Sequence, residues 1–106
     1  MTETDTADVS DVRVLVVDDE KEVADAYALR LRDVCDVETA YNGPEALETA
    51  DEETIDIVLL DRRMPEMSGD EVLRRLRDHS FVGRVVMLTA VDPGFDVLDL
   101  PFDDYL

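Results

Sequence analysis

Ile55-Asp-Ile-Val-Leu-Leu60, an almost unbroken apolar run, stops at Asp61 and is followed by Arg62-Arg-Met-Pro-Glu-Met67 and Ser68-Gly-Asp-Glu71. A run this short and this apolar suits a parallel strand buried on both faces. The Ser-x-x-Glu spacing is a capping box, so a helix begins there, with Val72, Leu73 and Leu76 turned inward and arginines outside. The unit is therefore strand, acid-tipped loop, helix.

Strands and helices alternate on either side of it, without an internal repeat. Val12 to Val17 forms a β-branched strand that ends on Asp18, Asp19 and Glu20. Asp19 and Glu22 are spaced as a helix-capping pair. The next segment places Val23, Tyr27 and Leu31 on one face, flanked by Ala24 and Ala28, as an amphipathic helix does. Asp36 to Tyr41 alternates as a second strand, and Asn42-Gly-Pro-Glu45 opens a second helix with Ala46, Leu47 and Ala50 inward. Arg84 to Leu88 reads as a fourth strand stopping at Thr89 and Ala90, residues 93–100 as a short and weak helix, and Phe102 to Leu106 as a fifth strand. Strict βαβαβαβαβ alternation implies a parallel sheet with right-handed crossovers and helices on both faces. Reactive groups in such folds gather at the carboxyl ends of the strands.

The chain has 106 residues, enough for one domain and not two. Residues 1–11 are polar and acidic, without apolar periodicity, and are expected to form a disordered tail; they hold no basic and apolar leader pattern. No apolar run approaches the roughly 20 residues that span a bilayer, so a cytoplasmic protein is expected. The single cysteine, Cys35, excludes an intrachain disulfide and reads as a small apolar residue. His79 reads as a surface residue at a helix end, not as a catalyst.

Twenty-eight acidic residues against ten basic ones leave a formal charge of −18. That surface repels phosphates, so neither direct nucleic-acid binding by this segment nor membrane binding is expected. Its acid-rich, lysine-poor composition resembles that of proteins from salt-accumulating halophiles.

Three strand ends bring polar groups to one edge: Asp18 and Asp19, Asp61, and Thr89. Crowded carboxylates repel one another unless a cation or a proton intervenes. Hard oxygen ligands with room for water favour Mg²⁺. Aspartate serves as a covalent nucleophile in phosphoryl transfer, and such transfer asks mainly for positioning and charge stabilisation.

Val14-Leu-Val-Val-Asp-Asp-Glu20, Val58-Leu-Leu-Asp-Arg-Arg-Met-Pro-Glu-Met-Ser-Gly69 and Met87-Leu-Thr-Ala90 resemble the successive signatures of response-regulator receiver domains, over residues 12–106. LLDRRMP, TAVDPGFD and FDDYL further resemble haloarchaeal receivers that precede a HalX-type region. The resemblance implies a flavodoxin-like, doubly wound, five-stranded parallel sheet of order 2-1-3-4-5. It implies that Asp61 is phosphorylated by a partner histidine kinase and that the domain is a switch, not an enzyme. Mg²⁺ would be held by Asp19 directly, by Asp18 largely through water, by Asp61 and by the backbone carbonyl of Arg63. Thr89 would be the switch hydroxyl, Ala90 the small residue that leaves it room, and Tyr105 the aromatic switch; a strand-end cap and an ordinary core residue are the plainer readings of Thr89 and Tyr105. Residues near Arg63 and Val91 would tune the phosphoryl lifetime.

The family pattern also has a lysine three residues after the aromatic, and here the sequence ends at Leu106. A receiver cut short before that lysine and the last helix of a longer regulator with an output region is therefore expected, with a bare apolar face prone to self-association. Lys21 lies in the wrong segment to replace the lysine; Arg62 or Arg63 is a candidate for partial charge. An aspartyl phosphohydrolase would show Asp-x-Asp-x-Thr at the nucleophile, and position 63 is arginine. A receiver-like interaction module that is never phosphorylated is the remaining alternative.

The charge reading predicts that stability rises with molar salt as self-repulsion is screened. Urea unfolding at low and multimolar KCl checks this, and equal midpoints would contradict it.

Overall fold

The computed structural model describes residues 11–88 and the backbone of residues 104–105. Eight elements follow in order: β1 (Arg13–Val17), α1 (Lys21–Leu31), β2 (Asp36–Ala40), α2 (Gly43–Glu52), β3 (Ile57–Leu60), α3 (Gly69–Asp78), β4 (Arg84–Met87) and β5 (Asp104–Tyr105). The strands form one sheet of order β2-β1-β3-β4-β5 with every pairing parallel, the expected doubly wound arrangement. The helix expected over 93–100 and the tail through residue 10 lie outside the described residues.

Side chains alternate across the sheet and divide the core in two. From β1, Leu15 and Val17 face one layer, with Val58 and Leu60 of β3, Val85 and Met87 of β4, Ala46 of α2, and Val72, Leu73 and Leu76 of α3. Val14 and Val16 face the other layer, against Ala24 of α1 and the partly buried Ile57 and Leu59. Burial of both faces of β1 and β3 explains why these strands read as apolar runs without alternation. β2 forms one edge, and its exposed Asp36 and half-buried Glu38 keep its outer side charged.

Two expectations for α1 need correction. Ala24 and Ala28 are its fully buried residues, while Val23 is half-buried and Tyr27 sits at the helix surface. Small residues let the helix axis approach the sheet closely, so the larger side chains are displaced to the flanks. The N-cap is Glu20, without a side-chain capping bond, and not Asp19. Asp18 Oδ1 instead accepts the Glu20 N–H at 2.9 Å, which turns the chain into the helix.

The other caps form as the sequence implies. Asn42 Oδ1 accepts the Glu45 N–H at 2.8 Å, and Ser68 Oγ accepts that of Glu71 at 3.2 Å. Glu71 does not reach back to close the box; its carboxylate pairs with Arg75 one turn along at 2.8 Å. β3 starts two residues later than expected, because Asp56 is engaged with Arg13, donating its N–H to the Arg13 carbonyl and accepting the Arg13 N–H. Cys35 is half-buried, with its thiol against the Leu31 carbonyl, and burial pushes its pKa up, as an inert packing residue requires.

The alanine-centred inner face of α1 sets a testable contrast. Ala28→Leu, which adds volume at a closed contact, is expected to lower stability by about 1–3 kcal/mol. Leu29→Ala, at a residue 66% exposed, should change it by no more than about 0.5 kcal/mol in the same urea titration.

Candidate functional site

Register places the acids. Val17 pairs with Leu60, and Leu60 with Met87, so the chain leaves β1, β3 and β4 at one level. Backbone bonds continue one residue further: Asp61 N–H donates to Val17 O at 2.9 Å, Asp18 N–H to Ala40 O at 3.1 Å and Leu88 N–H to Leu60 O at 3.0 Å. Asp18 and Asp61 are thus fixed side by side at the ends of adjacent strands, with Asp19 on the turn into α1.

One carboxylate oxygen from each of Asp18, Asp19 and Asp61 lies within 4.8 Å of the others. Asp18 is buried at 6% exposure and Asp61 is half-buried. Burial pushes the Asp18 carboxyl up to about 6. The charges of Asp61 and Asp19 and a side-chain hydrogen bond to Asp61 push the same way, and only the Glu20 N–H opposes them. Burial and the neighbouring charges thus favour the protonated form of Asp18, and a cation in the cluster would offset the same cost. The donor set, three hard carboxylates converging from two strand ends, fits a hard divalent cation.

Arg63 is exposed, and its N–H donates to Asp61 Oδ1 at 3.2 Å. The backbone two residues past Asp61 therefore doubles back onto its carboxylate, at the residue whose carbonyl the resemblance makes a ligand. Thr89, Ala90 and the Tyr105 side chain lie outside the described residues; the backbone of Tyr105 pairs with Met87.

Two features escaped the sequence reading. Arg62 is buried at 6% exposure, with Nε and Nη2 forked onto Asp70 of α3, so its charge is directed at that helix. The pair spans eight positions across an irregular loop, which no periodicity reveals. Lys21 lies 5.1 Å from the centroid of the Tyr41 ring, and the Tyr41 hydroxyl donates to Asp25 at 2.7 Å. An aromatic at the end of β2 thus holds the first residue of α1 beside the acids.

The family profile of the response regulator receiver domain matches residues 14–105, and the chain belongs to that family. It is 50% identical over 94 residues to a protein of Haloferax volcanii named as a transcriptional regulator, covering 88% of this chain and 16% of the relative. The chain spans 16%, 46% and 41% of three curated relatives that it matches, each a longer regulator. Among solved structures it resembles a Francisella response regulator receiver domain, with a TM-score of 0.82 and 30% identity over 91% of this chain and 83% of that one. It also resembles TrrA of Thermotoga maritima, solved in complex with Mg²⁺-BeF, with a TM-score of 0.79 and 31% identity over 90% and 84% of the two chains. The fold is therefore that of the CheY-like receivers. No helix among the described residues is long and apolar enough to cross a membrane.

The raised Asp18 carboxyl carries a pH signature. Its proton is held more tightly in the folded chain than in the unfolded one, so the stability it contributes is complete below about 3.8 and is lost as pH rises through about 6. In metal-free buffer the stability of Asp18→Asn relative to the wild type is expected to grow between these limits. Denaturant midpoints at several pH values measure it, and a pH-independent difference would contradict the assignment.

Proposed function

We propose that this chain is the phospho-accepting receiver of a cytoplasmic two-component system, with Asp61 taking the phosphoryl group from a histidine kinase. The observation that carries the reading is the meeting of Asp18, Asp19 and Asp61 within 4.8 Å at the carboxyl edge of a receiver sheet. A carboxylate oxygen of Asp61 attacks phosphorus, the bond from phosphorus to the kinase imidazole nitrogen breaks, and that nitrogen keeps the electron pair. With the other ring nitrogen of the phosphoimidazole already protonated, the products are an acyl phosphate on Asp61 and a neutral imidazole.

Asp18, Asp19, Asp61 and the Arg63 carbonyl would hold Mg²⁺, which when bound offsets the negative charge of both the cluster and the phosphoryl group. Asp61 is the only one of the three acids given a backbone N–H from the loop that follows β3, which aims its carboxylate; Asp18 lies deeper, where it serves as a ligand and not as the nucleophile. Thr89 would hydrogen-bond a phosphoryl oxygen, Ala90 leave room for that movement and Tyr105 follow it inward. The domain thus acts as a switch for an output region, a transcription-regulating one by analogy with its relatives, and not as an enzyme. The acid-rich surface, at −18 overall, leaves nucleic-acid contact to that region.

Acetyl phosphate with Mg²⁺ should add one phosphoryl group by intact mass to the wild type and none to Asp61→Asn. Chelating the metal should abolish the adduct. A labelled Asn variant would move the acceptor elsewhere, and an unlabelled wild type with Mg²⁺ bound would favour the unphosphorylated interaction module.

A further inference from the structure

Arg62 follows Asp61 directly, and its guanidinium is buried against α3. Nε donates to Asp70 Oδ1 at 2.9 Å and Nη2 to Asp70 Oδ2 at 3.0 Å, two parallel bonds that fix both side chains in plane and in direction. Asp70 lies in the first turn of α3, where the helix terminus favours a carboxylate. The fork therefore ties the residue after Asp61 to the start of the next helix, across a loop that includes Glu66 at a positive φ of 67°.

A second tie runs through the backbone. Gly69 N–H donates to the Arg62 carbonyl at 2.8 Å. Gly69 also packs so tightly that a Cβ there would meet the Asp61 carbonyl and stand 2.7 Å from Arg62 Cα. Both ties end on Arg62, whose peptide link to Arg63 carries the N–H that donates to Asp61 Oδ1. At 3.2 Å that bond is long, so its quality depends on where the peptide is held.

Burying an ion pair adds little stability over a well-packed apolar pair of the same volume; what it can add is a specified geometry. We infer that the Arg62–Asp70 fork positions the phosphorylation site. It holds the Arg62–Arg63 peptide so that its N–H orients the Asp61 carboxylate and the Arg63 backbone stays at the acid cluster. Arg62 is on this account a positioning residue that acts through Asp61 and Arg63 without touching the phosphoryl group. The inference rests on the reading of the cluster as an Mg²⁺ site, and goes beyond it by assigning the geometry of that site to a pair outside it.

The test is Mg²⁺ titration of the whole chain by calorimetry, with folding checked by circular dichroism under the same conditions. Arg62→Met should weaken Mg²⁺ binding about 10-fold, as loss of an outer partner does at metal sites. The double variant Arg62→Met/Asp70→Leu replaces the fork by an apolar contact, and should melt near the wild type while binding Mg²⁺ as weakly as the single variant. Arg62→Lys keeps the charge without the two-point fork, and should recover only part of the affinity. Wild-type affinity in the folded double variant, or full recovery with lysine, overturns the inference. A wild type that binds no Mg²⁺ overturns the metal reading itself, a result distinct from unaltered variants.

Discussion

Three carboxylates are brought together because the backbone leaves them no alternative. Parallel pairing of β1 with β3, continued by the Asp61 N–H to the Val17 carbonyl, places Asp18 and Asp61 at the same level of the sheet. Their repulsion cannot relax by moving the strands, since Val14 to Val17 and Val58 and Leu60 are sealed in the core. The cluster therefore raises the proton affinity of Asp18 and favours a cation among the three carboxylates. Hydrophobic burial below the site and electrostatic strain within it are two parts of one construction: the core holds the acids in place against their mutual repulsion.

The loop after β3 has the complementary task. It leaves the sheet at Asp61, turns back to offer the Arg63 N–H, and is tied at its far end by Gly69 and Asp70. Met67 packs against Gly43 so closely that any side chain there would collide with it, linking the loop to the start of α2 as well. The segment is irregular in its dihedral angles but fixed at several points, as a loop that must present backbone groups at defined places requires.

The sheet was readable because Val12–Val17 and Ile55–Leu60 are apolar without alternation, which only strands covered on both faces need be. The cluster was readable because two such runs end in aspartate, and parallel topology makes strand ends neighbours. The inward face of α1 was readable only in part: Leu31 packs inward as expected, but Ala24 and Ala28 and not Tyr27 form its centre. Helical periodicity identifies large apolar residues, whereas close packing against the sheet selected Ala24 and Ala28 and left Leu29 in solvent. The Arg62–Asp70 fork was hidden for another reason: its partners are brought together by a loop path and not by any repeat, and an arginine beside an acidic cluster suggests the nearer partner. Strand topology puts Thr89 at the same edge, but its switch role, like those of Ala90 and Tyr105, comes through family likeness and belongs to the proposed mechanism.

The edge strand β2 offers a different consequence of the acid-rich composition. An open sheet edge is a template on which another chain can add a strand, and natural sheets guard such edges with charge. Here the guard is Asp36 and Glu38, on a strand of only five residues. Anionic guards act at a distance only while they are unscreened, and the Debye length falls to about 3 Å in molar salt. In molar salt, protection of the edge passes from charge to shape: a short strand whose desolvated carboxylates would have no partner in a second copy.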